Sequence, residues 1–336
     1  MLGSIALLLM ALALVFLAAQ AFTNALEYLG ERLGVSEGVT GSIFAAVGTA
    51  LPETIVPIVA IVAGGGEQDV NEEVGLGAIL GAPFMLGTLS LGLMGACAAA
   101  RRGWRDVLTP EPSGMRRDIA VFLFAFALVA VAGLMPAWPH ARVGFALGLI
   151  VLYFLYVLRT IRASAALVGE GHGTEASRPL YVERVLPDAP WVAVVQLLVA
   201  LAVLVAGARM FVDGAQQLSA LLGVSALAVS LLVVPVATEL PEKVNSILWI
   251  LGRKDTLAFG NITGAMVFQG TMIPAIGMML MPWRFDDHLA LLSVVLAFAG
   301  AMWLGLALWR GRVTPLWLCG NAALYAVFVV VVAQAV

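Results

Sequence analysis

Charge is scarce in this sequence. Asp, Glu, Lys and Arg together make up 12% of its 336 residues, about half the share of an ordinary soluble domain. Hydrophobic residues supply 62%, and the mean hydropathy is +1.01, which excludes a water-soluble fold of normal composition. Cysteine is nearly absent. Cys97 and Cys319 each lie in an apolar stretch and exclude a disulfide framework. The three histidines, His140, His172 and His288, are scattered through expected loops, whereas zinc and iron ligands come clustered. No glycine-rich phosphate loop occurs, so ATP-driven pumping is not expected. The net charge of −3 says little, and neither a nucleic-acid partner nor a cofactor is expected.

What the chain has in quantity is apolar runs of about twenty residues, the length that crosses a bilayer as a helix. Ten can be drawn, at roughly 3–30, 37–63, 74–100, 117–136, 141–162, 190–218, 224–251, 255–281, 287–309 and 314–335. The stretch from Met1 to Phe22 lacks a positive start and is long for a signal sequence; it reads as a retained first helix. The expectation is an all-α integral membrane protein, surrounded by lipid. Trp283, Trp309 and Trp317 read as interfacial belt residues.

Part of the sequence occurs twice. Phe22 to Thr54 aligns without a gap on Phe211 to Lys243, at an offset of 189. The identities include Leu33-Gly34-Val35-Ser36 with Leu222-Gly223-Val224-Ser225, and Leu51-Pro52-Glu53 with Leu240-Pro241-Glu242. A second block follows at an offset of 183, where Gly77, Gly81-Ala82 and Gly87-Thr88 fall on Gly260, Gly264-Ala265 and Gly270-Thr271. Repeats of this kind report architecture. They divide the chain into a first five-helix half at 1–162, a linker at 163–189 and a second half at 190–336.

The loops place the halves in opposite senses. Arg101, Arg102, Arg105, Arg116 and Arg117, then Arg159, Arg162, Arg178 and Arg184, then Arg253 with Lys254, and Arg310 with Arg312 all fall on one side when ten helices alternate. The other side has Arg142, Arg284 and the acidic loop Glu67, Asp69, Glu72, Glu73. The positive-inside rule makes the basic loops cytoplasmic and puts both termini outside. Five helices per half then give an inverted-topology repeat, with a midplane site formed by discontinuous helices.

Each copy of the motif sets a carboxylate and a proline inside an apolar, membrane-length stretch. A charge at the bilayer centre costs about 2.5–3.5 kcal/mol on insertion scales, so it marks function. Proline removes a backbone donor and breaks the helix, and carboxylate plus freed carbonyl oxygens is the chemistry of a hard cation such as calcium. Glu53 and Glu242 are equivalent and are expected to face each other. Thr49 and Thr238 lie one turn earlier, with carbonyls the prolines leave available. Helices two and seven are expected to break in the middle, with the small residues of helices three and eight packed directly on them.

These residues resemble a known family. Gly48-Thr49-Ala50-Leu51-Pro52-Glu53, Ala237-Thr238-Glu239-Leu240-Pro241-Glu242, the upstream Leu-Gly-Val-Ser pairs and Gly260-Asn261-Ile262-Thr263-Gly264 are similar to the repeats of the sodium/calcium exchanger membrane region. The resemblance implies ten helices in two inverted halves, and calcium held by Glu53, Glu242 and the carbonyls of Thr49 and Thr238. It also implies alternating access driven by sodium or protons, and no enzymatic activity. The chain departs from the family pattern where side chains bind sodium. Those positions are Ala82 and Leu86 in the first half, then Ala265 and Gln269 in the second. Glu239 replaces a motif serine and joins the expected metal set, with Lys243, Gln269 and Asn261 as possible modulators. Glu239 and Lys243 are spaced i,i+4, suited to an ion pair within a helix. A bound divalent cation exchanged for sodium is the leading expectation. Exchange for protons, or a binding protein without flux, remain as alternatives.

Overall fold

The computed structural model describes residues 2–32, 50–63, 68–135, 139–168, 180–182, 187 and 189–334. Among these the regular structure is helical, apart from an isolated antiparallel bridge between Leu108 and Val313. In chain order the helices are α1 (Leu2–Arg32), α2 (Leu51–Ala63), α3 (Gln68–Met85), α4 (Leu91–Arg102), α5 (Pro112–Leu134), α6 (Pro139–Val168) and α7 (Pro190–Leu222). They continue with α8 (Ala226–Thr238), α9 (Leu240–Leu251), α10 (Asp255–Gln269), α11 (Met272–Leu280), α12 (His288–Trp309) and α13 (Pro315–Gln334). A π-turn at Leu86–Ser90 joins α3 to α4.

Eight stretches among the described residues are long and apolar enough to cross a membrane, counting α3 with α4 and α10 with α11 as one each. Two further apolar helices are short, Leu51–Ala63 and Ala226–Val236. They are the pieces next to the two Leu-Pro-Glu motifs. The protein is a multi-pass helical membrane protein. The fifth expected helix runs on to Val168, six residues past the boundary read from the sequence. The expected linker also contains a docked piece: Leu180 is buried among Ala25, Tyr28, Val192 and Ala193, and the Tyr181 amide donates to Asn24 Oδ1 at 3.0 Å.

The loops gather at two ends. At one end the Leu108–Val313 bridge, Leu316 N–H to Trp104 O at 3.1 Å and Glu111 N–H to Thr256 Oγ1 at 3.0 Å tie the basic loops together. At the other, Phe285 N–H donates to Gly133 O and Arg142 Nη1 to Met281 O at 2.7 Å. Helices α3–α4 and α10–α11 run between these ends in opposite directions, as do α5 and α12.

Helix ends follow from local chemistry. Proline opens α5 and α7 at a position where no backbone donor is needed. Gly223 closes α7 in the left-handed region at φ 69°, which favours glycine. Glu111 caps α5 by accepting from Ser113 N–H and Gly114 N–H, each at 2.8 Å. Those amides, that of Gly114 foremost, hold its carboxyl below the usual glutamate range. A depressed folded-state pKa gives stability that is present above the unfolded pKa and lost as the pH falls through the folded value. Glu111→Ala is therefore expected to lower the thermal midpoint at neutral pH. The gap to the parent protein should shrink as the pH drops into the carboxylate range, read from paired melting curves.

Lipid offers no hydrophobic drive for helix association, so close packing and buried hydrogen bonds hold the bundle. Helix α1 lies along α7, the helix that repeats it. Helix α3 is wedged between α2 and α8. A Cβ on Gly75 would meet Ile61 of α2, and one on Gly77 or Gly81 would meet the backbone of Leu227 or Leu231 in α8. The expected direct packing of small residues on the motif helices is present at α3 but not at α10, where a Cβ on Gly260 meets nothing within 4 Å and one on Gly264 meets the Tyr156 hydroxyl. Further on, α4 packs against α13 and α11 against α6, while α3 contacts α12 and α10 contacts α5. Buried polar groups stitch these contacts. Ser230 Oγ donates to Val74 O at 2.6 Å, and Asp118 accepts from Tyr156 at 3.0 Å and Thr263 at 2.8 Å.

Trp283 departs from its expected place. It is 3% exposed and donates its indole N–H to Val129 O at 3.2 Å, so it is a packing residue and not an interfacial one. Trp309 is 79% exposed, and Trp317 stacks on Trp303 with centroids 4.3 Å apart.

Candidate cation site

In the second half the motif sits in a helix break. Helix α8 stops at Thr238 and α9 starts at Leu240. Glu239 between them has φ −96° and ψ 12°, outside the helical range. The cause is Pro241, in the first turn of α9, which lacks the N–H that a continuous helix would present to the carbonyl four residues earlier. That carbonyl belongs to residue 237, the neighbour of Thr238. The seventh helix is thus discontinuous as expected. Thr238 is 3% exposed, and its hydroxyl donates back to Val234 O at 3.1 Å.

Glu239 is fully buried and Lys243 is 9% exposed. Lys243 Nζ lies 3.9 Å from Glu239 Oε2 and donates to Pro235 O at 2.7 Å. The Pro235 carbonyl also accepts from Glu239 N–H at 3.3 Å. The ammonium therefore folds back across the break and does not reach for an aqueous face. The i,i+4 spacing brings this pair together because Lys243 N–H still bonds Glu239 O, at 3.1 Å, across the non-helical residue. The backbone of Glu242 lies in the first turn of α9; its side chain is outside the described residues, as is all of Thr49.

The first half shows the corresponding start of a helix. Helix α2 begins at Leu51, with Pro52 and Glu53 in its first turn. Glu53 is 4% exposed. Thr54, which occupies the position of Lys243, donates both N–H at 3.2 Å and Oγ1 at 2.7 Å to Ala50 O. Helices α2 and α8 touch, with Val56 and Val59 of α2 and Val229 and Val234 of α8 in one apolar cluster. Among the described residues no three His, Cys, Asp or Glu side chains converge as a metal cluster.

Sequence reading missed one feature. The third and eighth helices are also interrupted, and at equivalent places. The π-turn covers Leu86–Ser90, and α10 gives way to α11 at Gly270–Thr271. In both, a threonine donates to the carbonyl four residues back: Thr88 Oγ1 to Phe84 O at 2.5 Å and Thr271 Oγ1 to Val267 O at 2.6 Å. Such back-bonding bends helices, and the repeated Gly-Thr beside Pro83 or Pro274 was the available signal. Leu86 and Gln269, the departures from the family's sodium-ligand pattern, lie at these interruptions. Gln269 is 1% exposed, and its Oε1 has no hydrogen-bond donor among the described residues. Asn261 Nδ2 donates to Ser246 Oγ at 3.0 Å and so links α10 to α9.

Neutralising Glu239 tests its part in this region. Glu239→Ala removes the carboxylate 3.9 Å from the buried Lys243 ammonium, and breaking one side of a buried pair costs about 3–5 kcal/mol. The expected readouts are a lower melting midpoint and altered ion dependence of flux, with the second Lys243→Met substitution restoring stability. Unchanged transport in Glu239→Ala would exclude a site role for this carboxylate.

A multi-pass helical bundle with one buried carboxylate at the α8–α9 break and another in the first turn of the short apolar helix α2 defines a class, the membrane ion transporters; the expected break in the second helix lies outside the described residues. The chain belongs to the sodium/calcium exchanger protein family, whose model matches residues 3–162 and 192–334. Over 311 residues it is 28% identical to the inner membrane protein YrbG of Escherichia coli K12, covering 90% of each chain. Its fold is similar to the H+/Ca2+ exchanger CAX, with a TM-score of 0.69 at 18% identity over 97% of this chain and 81% of that one. It is also similar to the sodium–calcium exchanger NCX_Mj, with a TM-score of 0.57 at 20% identity over 98% of both chains. Both of these solved neighbours are exchangers.

Proposed function

We propose that the protein is a secondary antiporter that moves calcium, or a similar divalent cation, across a membrane in exchange for sodium by alternating access. The carrying observation is the twice-written Leu-Pro-Glu motif, found once in the buried first turn of α2 and once at the α8–α9 break. In this reading Glu53, Glu242 and Glu239, with the carbonyls of Thr49 and Thr238, hold one cation. Lys243 tempers the charge of Glu239. Gln269 and Asn261 shape the neighbouring wall.

The architecture we assign is ten membrane passes in two inverted five-helix halves. Three observations support it. Helix α3–α4 opposes α10–α11 in direction. The third helical pass of each half packs on the fifth of the other, α4 on α13 and α11 on α6. Equivalent threonines mark equivalent interruptions. The basic loops then face the cytoplasm and both termini face outside.

A second reading keeps the fold and replaces sodium with protons. Ala82, Leu86 and Ala265 favour it, because they offer no oxygen where the family pattern has sodium ligands. Calcium uptake into proteoliposomes separates the two. Uptake driven by an outward sodium gradient at uniform pH supports sodium coupling; uptake driven only by a pH gradient supports protons. Calcium binding with no flux under either gradient would overturn both.

A further inference from the structure

At the end where the basic loops gather, α5, α6 and α10 surround a polar cavity. It holds about 260 Å³, and Glu111, Arg117, Asp118, Tyr156, Thr256 and Gly260 line it. Three candidate membrane spans reach their edges here, at Pro112, Thr160 and Asp255, so the cavity lies at the level of lipid headgroups. Its loop wall is fixed in advance. Arg102 of α4 donates to Asp255 Oδ1 and Oδ2 at 2.5 and 3.1 Å, and Thr109 N–H donates to Asp255 at 2.8 Å. The loop before α5 is thereby pinned to the start of α10.

Arg117 has donors to spare. Its guanidinium lies over the Tyr156 ring, 5.6 Å from the centroid, and Nη2 is 3.5 Å from Asp118 Oδ1. Nε is buried and has no hydrogen-bond acceptor among the described residues. The Thr256 hydroxyl accepts from Glu111 N–H at 3.0 Å and keeps its own proton to donate. A guanidinium with free N–H groups suits a phosphate. Two carboxylates stand beside it. Asp118 is 5% exposed, and its hydroxyl donors, Tyr156 and Thr263, are neutral. A ligand carrying only negative charge would be repelled by Asp118 and Glu111. One with an ammonium beside its phosphate is matched at each end.

The way from the cavity toward the membrane interior is open and apolar. A Cβ on Gly260 meets nothing within 4 Å, and one on Gly264, a turn deeper, meets only the Tyr156 hydroxyl at 4.0 Å. Small residues in membrane helices commonly serve close helix approach; these two leave a shallow trough. Helix α5 packs on both α6 and α10 behind it. Leu155 and Leu158 of α6 and Leu257 of α10 are exposed.

We propose that this cavity binds a phospholipid with a phosphoethanolamine headgroup, taken from the leaflet at the basic end. Arg117 and Thr256 hold the phosphate, Asp118 and Glu111 face the ammonium, and an acyl chain follows the trough at Gly260 and Gly264. Basic pockets between membrane helices are known to take lipid headgroups; the carboxylates here add a demand for the amine. A trimethylated amine has no N–H to give them, and Arg117 already covers a face of Tyr156 that could otherwise receive a quaternary ammonium. Such a lipid joins α5 and α6 to α10.

The test is native mass spectrometry of the full chain, purified in detergent and given equimolar phosphatidylethanolamine, phosphatidylcholine and phosphatidylglycerol of matched chains. The parent protein is expected to retain phosphatidylethanolamine about tenfold over either of the others, the scale of one hydrogen bond to a charged group. Arg117→Gln should abolish retention. Gly260→Leu should abolish it too by filling the trough; it improves helix propensity and touches no packed neighbour, so the protein stays folded. Asp118→Asn should erase the preference over phosphatidylcholine. Soluble phosphoethanolamine at the same concentration should leave the lipid bound; displacement would overturn the lipid as occupant. No retention by the parent, equal retention of the three lipids, preference for another headgroup, or parent-like retention in Arg117→Gln or Gly260→Leu would overturn the proposal. If Asp118→Asn does not fold, the other two variants still decide it.

Discussion

Glu53→Gln and Glu242→Gln are each expected to reduce divalent flux by at least about 100-fold while leaving the protein folded. The estimate starts from the finding that groups merely supporting a metal ligand typically cost 10- to 100-fold when removed; a direct ligand should cost no less. In free energy a 100-fold loss corresponds to about 2.7 kcal/mol. Glutamine keeps the shape and one carbonyl oxygen but removes the charge that a hard divalent cation requires. The two substitutions should be equivalent in effect, because the positions are equivalent under the repeat. Initial rates of calcium uptake in proteoliposomes, with melting midpoints on the same preparations, make the comparison. A large loss at one glutamate and none at the other would mean that the motif copies have separate duties.

The second large effect is steric. Gly81→Leu is expected to prevent assembly of a stable bundle. A Cβ at Gly81 would sit 2.8 Å from Leu231 O and 2.8 Å from Pro235 Cγ, and neither a helix backbone nor a proline ring can turn aside. Overpacking typically costs about 1–3 kcal/mol, and here the side chain beyond Cβ adds to it. The strain would also fall on Pro235, whose carbonyl accepts from Lys243 at 2.7 Å, so even Gly81→Ala should disturb the site region. Gly148→Ala is the control, since a Cβ there meets nothing within 4 Å. Size-exclusion profiles and thermal midpoints in detergent should separate the two glycines clearly. A well-behaved Gly81→Leu protein would show that α3 and α8 do not approach each other this closely.

How much was legible in the sequence depended on what each residue reports. The membrane class followed from composition, because a chain so poor in charge has one solvent that suits it. The break at Glu239 followed from Pro241, a local rule that needs no tertiary knowledge. The wedge of α3 was visible as Gly77 and Gly81 repeating at an offset, since small residues in an apolar helix serve close approach. Trp283 was misplaced because an aromatic near a helix end reads as interfacial; the Val129 carbonyl that takes its N–H comes from 154 residues away. The interruptions at Leu86–Ser90 and Gly270–Thr271 were overlooked for a related reason. A threonine in a helix does not announce whether it bonds the preceding turn or a neighbour. The Arg102–Asp255 pair, 153 residues apart, gave no sequence signal beyond a basic loop.

The decisive measurement is anomalous diffraction from crystals of the protein soaked in manganese, an oxygen-seeking divalent ion that scatters strongly enough to be located. A single peak within the membrane-spanning body, with a carboxylate oxygen of Glu53 and one of Glu242 each within about 2.6 Å, is the expected result. Two separate peaks, each held by one of these glutamates, or a peak in the membrane body that neither of them touches, would contradict the shared site.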